Sequence, residues 1–320
     1  MTAETEMESK DIPAVPVIYL VFNRPEVTRQ SFAILRTLRP ARLFVVADGP
    51  RPHIAGEAEK CRLTREIATA VDWPCQLRTD FSETNLGLKQ RIASGITRAF
   101  EEVERAIVLE DDCLPDPTFF RFAAEMLEKY REDERIFCVS GDNFQGGRRR
   151  TEADYYFSLY PHCWGWATWR RAWRHFDPAL AEWPRLRGQG WLRKLLGNRA
   201  AAAYWQSIFD GCADGRINSW AFPWTYSCWV NQGLTILPEV NLVRNIGFGQ
   251  EGTNTTSADH SASALRAGAL SFPLRHPSRV VRHRRADAFT QRHHFGAPGP
   301  SLLDRIRRRW RRAFPSASRP

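Results

Sequence analysis

The sequence predicts an α/β fold, a parallel sheet wrapped by helices on both faces. Three observations point to it. Strand-like and helix-like stretches alternate four times before Pro115, the pattern of successive strand–helix–strand crossovers. The stretch Arg105-Ala-Ile-Val-Leu-Glu-Asp-Asp-Cys-Leu-Pro115 is a short apolar run flanked by charge, which reads as a strand buried on both faces. It ends in three consecutive carboxylates, Glu110, Asp111 and Asp112, and an earlier strand-like run likewise ends in Asp48. Crossovers of this kind are right-handed by default, and ligands bind in the crevice beyond the C-terminal ends of the strands.

Val15-Pro-Val-Ile-Tyr-Leu-Val-Phe22 is the first strand, rich in β-branched and aromatic residues. Asn23 then offers a helix N-cap, Pro25 an early helical position and Glu26 a first-turn acid. Val27, Phe32, Ile34, Leu35 and Leu38 follow at roughly helical spacing until Pro40. Arg42-Leu-Phe-Val-Val-Ala47 is the second strand, closed by Asp48-Gly49-Pro50. A helix over Ile54 to Val71, a strand over Cys75 to Thr79 and a helix from Asn85-Leu-Gly-Leu-Lys89 to about Phe100 lead to the carboxylate strand. Beyond it the pattern predicts a helix over Pro117 to Tyr130 and strands over Ile136 to Ser140 and Leu234 to Pro238.

Ten of the 12 Trp residues fall between Trp164 and Trp229. Trp166, Trp169 and Trp173 are three and four apart, the spacing of one helical face; such a stripe is more often core than a sugar-stacking platform. Asn245 to Asn254 is Gly-rich and reads as a flexible cover. In the tail, Leu302, Leu303, Ile306, Trp310 and Phe314 mark one face of a helix otherwise dense in Arg, the signature of an element lying on an anionic membrane surface. An unstructured basic tail or a nucleic-acid patch is the alternative.

Composition narrows the function classes. The formal charge is +10 over 320 residues, but Arg275 to Pro320 alone carries 13 Arg against 2 Asp, so the remainder is nearly neutral. A nucleic-acid-binding core, which needs basic side chains along its face, is not expected. No run of about 18 apolar residues occurs, so no membrane-spanning helix is expected. The seven cysteines are scattered with no C-x-x-C pair, against a zinc site or a disulfide framework and in keeping with a reducing compartment. Met1 to Asp11 is acidic and polar, unlike a secretion signal. The expectation is a cytoplasmic protein, peripheral on the cytoplasmic membrane face through its tail. Neither G-x-G-x-x-G after the first strand nor a P-loop is present, so a nucleotide would be held by metal and strand-end side chains. Three adjacent carboxylates repel one another unless a hard cation neutralises them, and Mn²⁺ or Mg²⁺ takes oxygen ligands while bridging phosphates. The bland alternative is a solvated acidic turn.

Val21-Phe-Asn-Arg-Pro25, Ala47-Asp-Gly49, Asn85-Leu-Gly-Leu-Lys89, Glu110-Asp-Asp112 and Cys163-Trp-Gly-Trp-Ala-Thr-Trp169, in this order, resemble the GT-A glycosyltransferases of the N-acetylglucosaminyltransferase I type. They are closer still to bacterial relatives labelled hemolysin-like or family-2-like. The resemblance spans about Val15 to Phe295. It implies a Rossmann-like nucleotide-diphospho-sugar transferase sheet and a hexosyl- or N-acetylhexosaminyl-transferase that uses Mn²⁺ or Mg²⁺, a nucleotide-sugar donor with UDP favoured, and a glycan or lipid-linked acceptor. By resemblance, Arg24 sits beside the nucleotide, Asp48 pairs with the uridine base, Glu110 and Asp111 approach the ribose and the transferred sugar, and Asp112 holds the metal. Asn23, Gly87 and Lys89 complete the donor side; Trp164, Gly165 and Trp166 line the acceptor side.

The family inverts the anomeric centre, which needs a general base near the acceptor hydroxyl. Relatives place an acid after the first Trp of a W-D-x-x-W-like segment, whereas this chain reads Trp220-Ala-Phe-Pro-Trp224. Asp210, Asp214, Glu239 and Glu251 are the base candidates, with Asp214 preferred and Glu251 its rival. The implied organisation is a disordered leader at 1–14, a nucleotide-sugar-binding half at 15–145, an acceptor-binding half of the same domain at 146–295 and a basic amphipathic tail at 296–320. A catalytically silent relative acting as a binding or membrane-anchored partner protein is the second reading. A nucleotidyltransferase is the third, lacking its usual Gly-rich basic loop after the first strand.

Overall fold

The computed structural model describes residues 15–247 and 265–296. Its first half alternates as expected: β1 (Val17–Val21), α1 (Pro25–Leu38), β2 (Arg42–Ala47), α2 (Glu57–Thr69), β3 (Gln76–Phe81), α3 (Leu88–Glu102) and β4 (Arg105–Glu110). These four strands are parallel and lie in the order β3-β2-β1-β4. After Glu110 the chain turns out of the sheet. Cys113–Pro115 becomes β5, which pairs antiparallel with β10 (Val243–Asn245) in a separate two-stranded ribbon. Asp116 then caps α4 (Pro117–Lys129) by accepting the Thr118 N–H at 2.9 Å.

The second half departs from the all-parallel expectation. With β6 (Ile136–Ser140), β7 (Tyr155–Ser158), β8 (Trp166–Trp169) and β9 (Leu234–Pro238), the sheet has eight strands in the order β3-β2-β1-β4-β8-β6-β9-β7. β8 runs antiparallel to both β4 and β6, and β7 antiparallel to β9; β6 and β9 are parallel. Both halves of the chain therefore build one mixed α/β sheet. The helical reading of the tryptophan stripe fails for the same reason. A spacing of three fits a helix but also alternates across a strand, and here Trp166 and Trp169 are strand residues whose backbones are held by β4 and β6. Only Arg170–Trp173, α5, is helical.

Strand alternation divides the core in two. Val17, Tyr19 and Val21 of β1 face one side with Phe32 and Leu35 of α1 and Phe119 and Phe122 of α4. Ile18 and Leu20 face the other with Ile92, Ile96 and Phe100 of α3. Trp169 joins the first side, while Trp166, Trp173, Trp183, Trp205, Trp224 and Trp229 join the second. The aromatic-rich middle is thus mostly core. It is carried by α6 (Trp183–Leu186), α7 (Trp191–Leu196), α8 (Arg199–Ala213) and α9 (Ala221–Val230), the last buried along all of Pro223 to Trp229. A helix that is apolar on every face belongs inside a domain. The last element, α10 (Arg284–His293), packs on β7 through Asp287, which accepts the Ser158 hydroxyl at 2.7 Å.

Among the described residues no helix is long and apolar enough to cross a membrane, and all seven cysteines are free thiols. The leader at 1–14, Glu251 with most of the Gly-rich stretch, and the amphipathic tail residues Leu302 to Phe314 lie outside the described residues.

Candidate active site

A cleft of about 430 Å³ opens at the C-terminal ends of β1, β2 and β4. It gathers Asn23, Arg24, Asp48, Gly87, Glu110, Asp111, Asp112 and Trp164 from five separate stretches of sequence. Parallel strands put all their C-termini on one edge, so every acid that follows such a strand arrives there. Lys89 is not in this cleft but lines a groove beside it. Gly165 and Trp166 are buried behind it, Gly165 through a carbonyl that accepts the Gly141 N–H at 2.8 Å and Trp166 as a core residue of β8.

Arg24 organises the floor. It precedes Pro25, which restricts it to an extended conformation (φ −119°, ψ 75°) and makes it, rather than Asn23, the residue at the cap position of α1. Its guanidinium pairs with Asp111 and, at 3.1 Å, with Asp112. Burial works against the Arg24 charge, but Asp111 and Asp112 outweigh it and raise its pKa. Asn23, expected to cap the helix, instead donates to Glu57 at 2.8 Å, and the same carboxylate takes the Arg51 N–H at 2.6 Å. The Arg51 hydrogen bonds hold Glu57 down at about 2.

The three strand-end carboxylates have different surroundings. Asp111, 2 % exposed, faces Arg24 and Thr28; burial raises its pKa to about 6 despite the arginine. Glu110 is pushed up to about 8 by burial and by the Asp112 charge, with Trp220 beside it acting in the opposite sense. Asp112, with 13 % of its side chain exposed, contacts Arg24 and accepts from Asn245 Nδ2 at 3.1 Å. Gly247 closes over it so tightly that a Cβ there would overlap Asp112 Oδ2.

Among the described residues no group of three His, Cys, Asp or Glu side chains is placed to hold a metal ion. One cleft-facing carboxylate among acidic neighbours does fit a hard cation that takes its other ligands from diphosphate oxygens and water, the usual arrangement for Mg²⁺ at phosphates. Asp112 is the residue that would hold it.

Asp48 is occupied differently from its implied role. Its Oδ1 accepts from the Gly49 and Leu86 N–H groups, both at 2.9 Å, and its Oδ2 from Gly87 N at 2.9 Å and Asn85 Nδ2 at 3.1 Å. A carboxylate has about four lone-pair sites, and all four are filled, leaving none for a uracil N–H. Asp48 instead fixes the 85–87 loop that leads into α3.

The described base candidates, Asp210, Asp214 and Glu239, do not line the cleft. Asp214 ends α8 with 48 % of its side chain exposed, paired with Arg216 at 2.7 Å. Asp210 pairs with Arg187, and Glu239 accepts the Arg150 N–H at 2.9 Å on the far side of β9. Ala221, the position at which the resemblance leads one to expect an acid, lines the cleft and brings no carboxyl group to it.

Asn218 and Ser219 escaped the sequence reading; Trp220, Asn245 and Gly247, read there only as part of the Trp-x-x-x-Trp segment and the Gly-rich cover, also reach the cleft from loops whose position depends on the second half of the sheet. Asp142 was missed although it carried a signal, an acid immediately beyond a strand, β6. Fully buried, it accepts the Trp164 N–H at 3.0 Å and so sets the backbone of the tryptophan that walls the cleft. Burial raises its pKa well above the carboxylate range. Compared with models of protein families and with curated proteins, the chain matches none.

Proposed function

We propose that this chain is a metal-dependent GT-A glycosyltransferase that moves a sugar from a nucleoside-diphosphate donor to a hydroxyl acceptor, with inversion, in the assembly of a surface or secreted glycan. The observation that carries the reading is the meeting of Glu110, Asp111 and Asp112 with Arg24 in one cleft at the C-terminal strand edge. A bound Mn²⁺ or Mg²⁺ would supply positive charge to favour departure of a diphosphate leaving group. Asp112 would hold that ion. Arg24, kept charged by two carboxylates, offers a guanidinium beside the phosphates. Glu110, its pKa pushed up to about 8, is largely protonated near neutrality and can donate a hydrogen bond to a sugar hydroxyl. Trp164 gives a flat apolar wall for the face of a pyranose ring.

A second reading, a donor-binding protein without transfer, is favoured by one observation. Ala221 leaves the cleft wall without the acid that the family places there, and Asp210, Asp214 and Glu239 all lie away from it. Donor binding without transfer or hydrolysis is its signature.

The test is thermal unfolding against a panel of nucleotide sugars with and without Mn²⁺. A ligand at 100 times its Kd stabilises the fold by about 2.7 kcal/mol. At least one UDP-sugar is expected to do so only when Mn²⁺ is present, and Asp112→Ala to remove that metal-dependent increment. A panel that leaves the wild type unshifted sinks the donor reading; an undiminished increment in the variant sinks the role of Asp112.

A further inference from the structure

A second depression, a groove of about 670 Å³, runs along the outer side of α3. Its floor is Lys89, Gln90, Ser94, Thr97 and Arg98 of the helix, and its opposite wall is Phe176 and Pro178. Asn218 lines both this groove and the cleft. The neck between them is a rim where Gly87 faces Asn218, with 3.8 Å, van der Waals distance, between the Asn218 amide nitrogen and the place a Cβ at 87 would occupy. Cleft and groove therefore meet at this shared rim.

The lining selects the occupant. One amide, Gln90, and two hydroxyls, Ser94 and Thr97, line the groove along α3, and the Phe176 ring, stacked on Trp173 at 4.3 Å with 13° between planes, forms an aromatic edge opposite them. Thr97 accepts the Trp173 indole N–H at 2.9 Å and keeps its own hydroxyl proton to donate. Polar side chains across from a ring suit a molecule with hydroxyls on its edges and C–H faces, an oligosaccharide. The groove has no strand edge for an extended peptide to join and no apolar trough for a helix. Of its two cations, Arg98 is bound to Asp80 at 2.6 Å, too little positive charge for a nucleic-acid backbone. Lys89, at the neck, has no ion-pair partner among the described residues, and Glu101 stands at the opposite end, beyond Arg98.

We infer that this groove binds the acceptor as an oligosaccharide of several residues, its reacting end reaching over the Asn218 rim into the cleft and an anionic substituent near that end pairing with Lys89. The inference rests on the glycosyltransferase reading, which names the donor site but not the acceptor path.

The test uses the full-length protein on an array of defined neutral and anionic oligosaccharides, from di- to hexasaccharides, with UDP binding in Mn²⁺ measured in parallel. Gln90→Trp, at an exposed helix position, and Ser94→Trp both fill the groove. The expected result is retention of longer anionic saccharides by the wild type, a loss of at least tenfold in both variants, a comparable loss for those saccharides in Lys89→Glu, and unchanged UDP affinity in the tryptophan variants. Saccharide binding that survives both tryptophans, or no saccharide bound by a wild type that binds UDP, overturns the groove and leaves the donor site standing. Saccharide binding abolished by the tryptophans in a protein that never binds UDP keeps the groove and overturns the donor site.

Discussion

Asp48 and Asp112 stand at the ends of two strands of one sheet, yet their oxygens meet different partners. Four donors fill Asp48, which makes it a loop anchor; Asp112 has a lighter set, Arg24, Asn245 and the weakly donating Cys113 thiol, and lines the cleft. The acids and their approach to one edge were legible in the sequence, because an acid after an apolar strand is a local pattern. Their division of labour was not, since the donors come from residues 85–87 and 245. Glu110 carries a further consequence. Its folded-state pKa, about 8, lies above the ordinary 4.5, so the folded chain binds this proton more tightly than the unfolded chain does. Stability is then greatest below the unfolded value and is lost as pH rises toward 8. In metal-free protein, Glu110→Gln should flatten that decline and unfold at a higher temperature than the wild type above pH 8. Melting curves from pH 5 to 9 with parallel slopes for the two proteins would contradict it.

At the scale of elements, α3 and β8 show how packing decides what periodicity leaves open. Helix α3 lies against β2 at Gly95, where a Cβ would overlap the Val46 methyl. That closeness helps hold Gly87, at the head of α3, next to Asp48 at the end of β2. Gly95→Ala relieves the intrinsic helix cost of glycine, about 1 kcal/mol, but forces the helix outward at an overpacking cost of about 1–3 kcal/mol. The variant should be less stable in urea, with donor affinity reduced as the 85–87 loop shifts; a midpoint at or above that of the wild type would show that α3 can give way freely. Strand β8 was hidden because Trp166-Ala-Thr-Trp169 is too short to show its period alone. Its strand character comes from β4 and β6, which flank it and satisfy its backbone on both sides.

Across the described residues, one sheet joins the two halves, and the tryptophans read from the sequence as core are core, Trp169 on its first face and most of the others on its second. Of the aromatic side chains, Phe22, Trp164 and Trp220 are left at the cleft. Surface charge is segregated as well, with 13 Arg and 2 Asp from Arg275 onward and a nearly neutral body before it. A basic face paired with Leu302, Leu303, Ile306, Trp310 and Phe314 predicts attraction to anionic lipid, on the order of 1 kcal/mol per basic residue near the surface. Deleting Ser301 to Pro320 should weaken sedimentation with phosphatidylserine vesicles and leave Mn²⁺-dependent nucleotide binding intact. Equal sedimentation of the truncated protein would remove the membrane role.

The sequence by itself determined the strand–helix alternation of the first half, the buried strand that delivers Glu110, Asp111 and Asp112, and the edge at which they gather, because hydrophobic period and turn chemistry act over a few neighbouring residues. Tertiary structure alone decided that β8 runs backwards between β4 and β6, that Asp48 is saturated, that Asp214 faces solvent and that Ala221 faces the cleft. Each of those depends on contacts between segments tens to more than a hundred residues apart. No local pattern encodes such pairings; they are settled when the two faces of the sheet are covered and every buried donor and acceptor finds its partner.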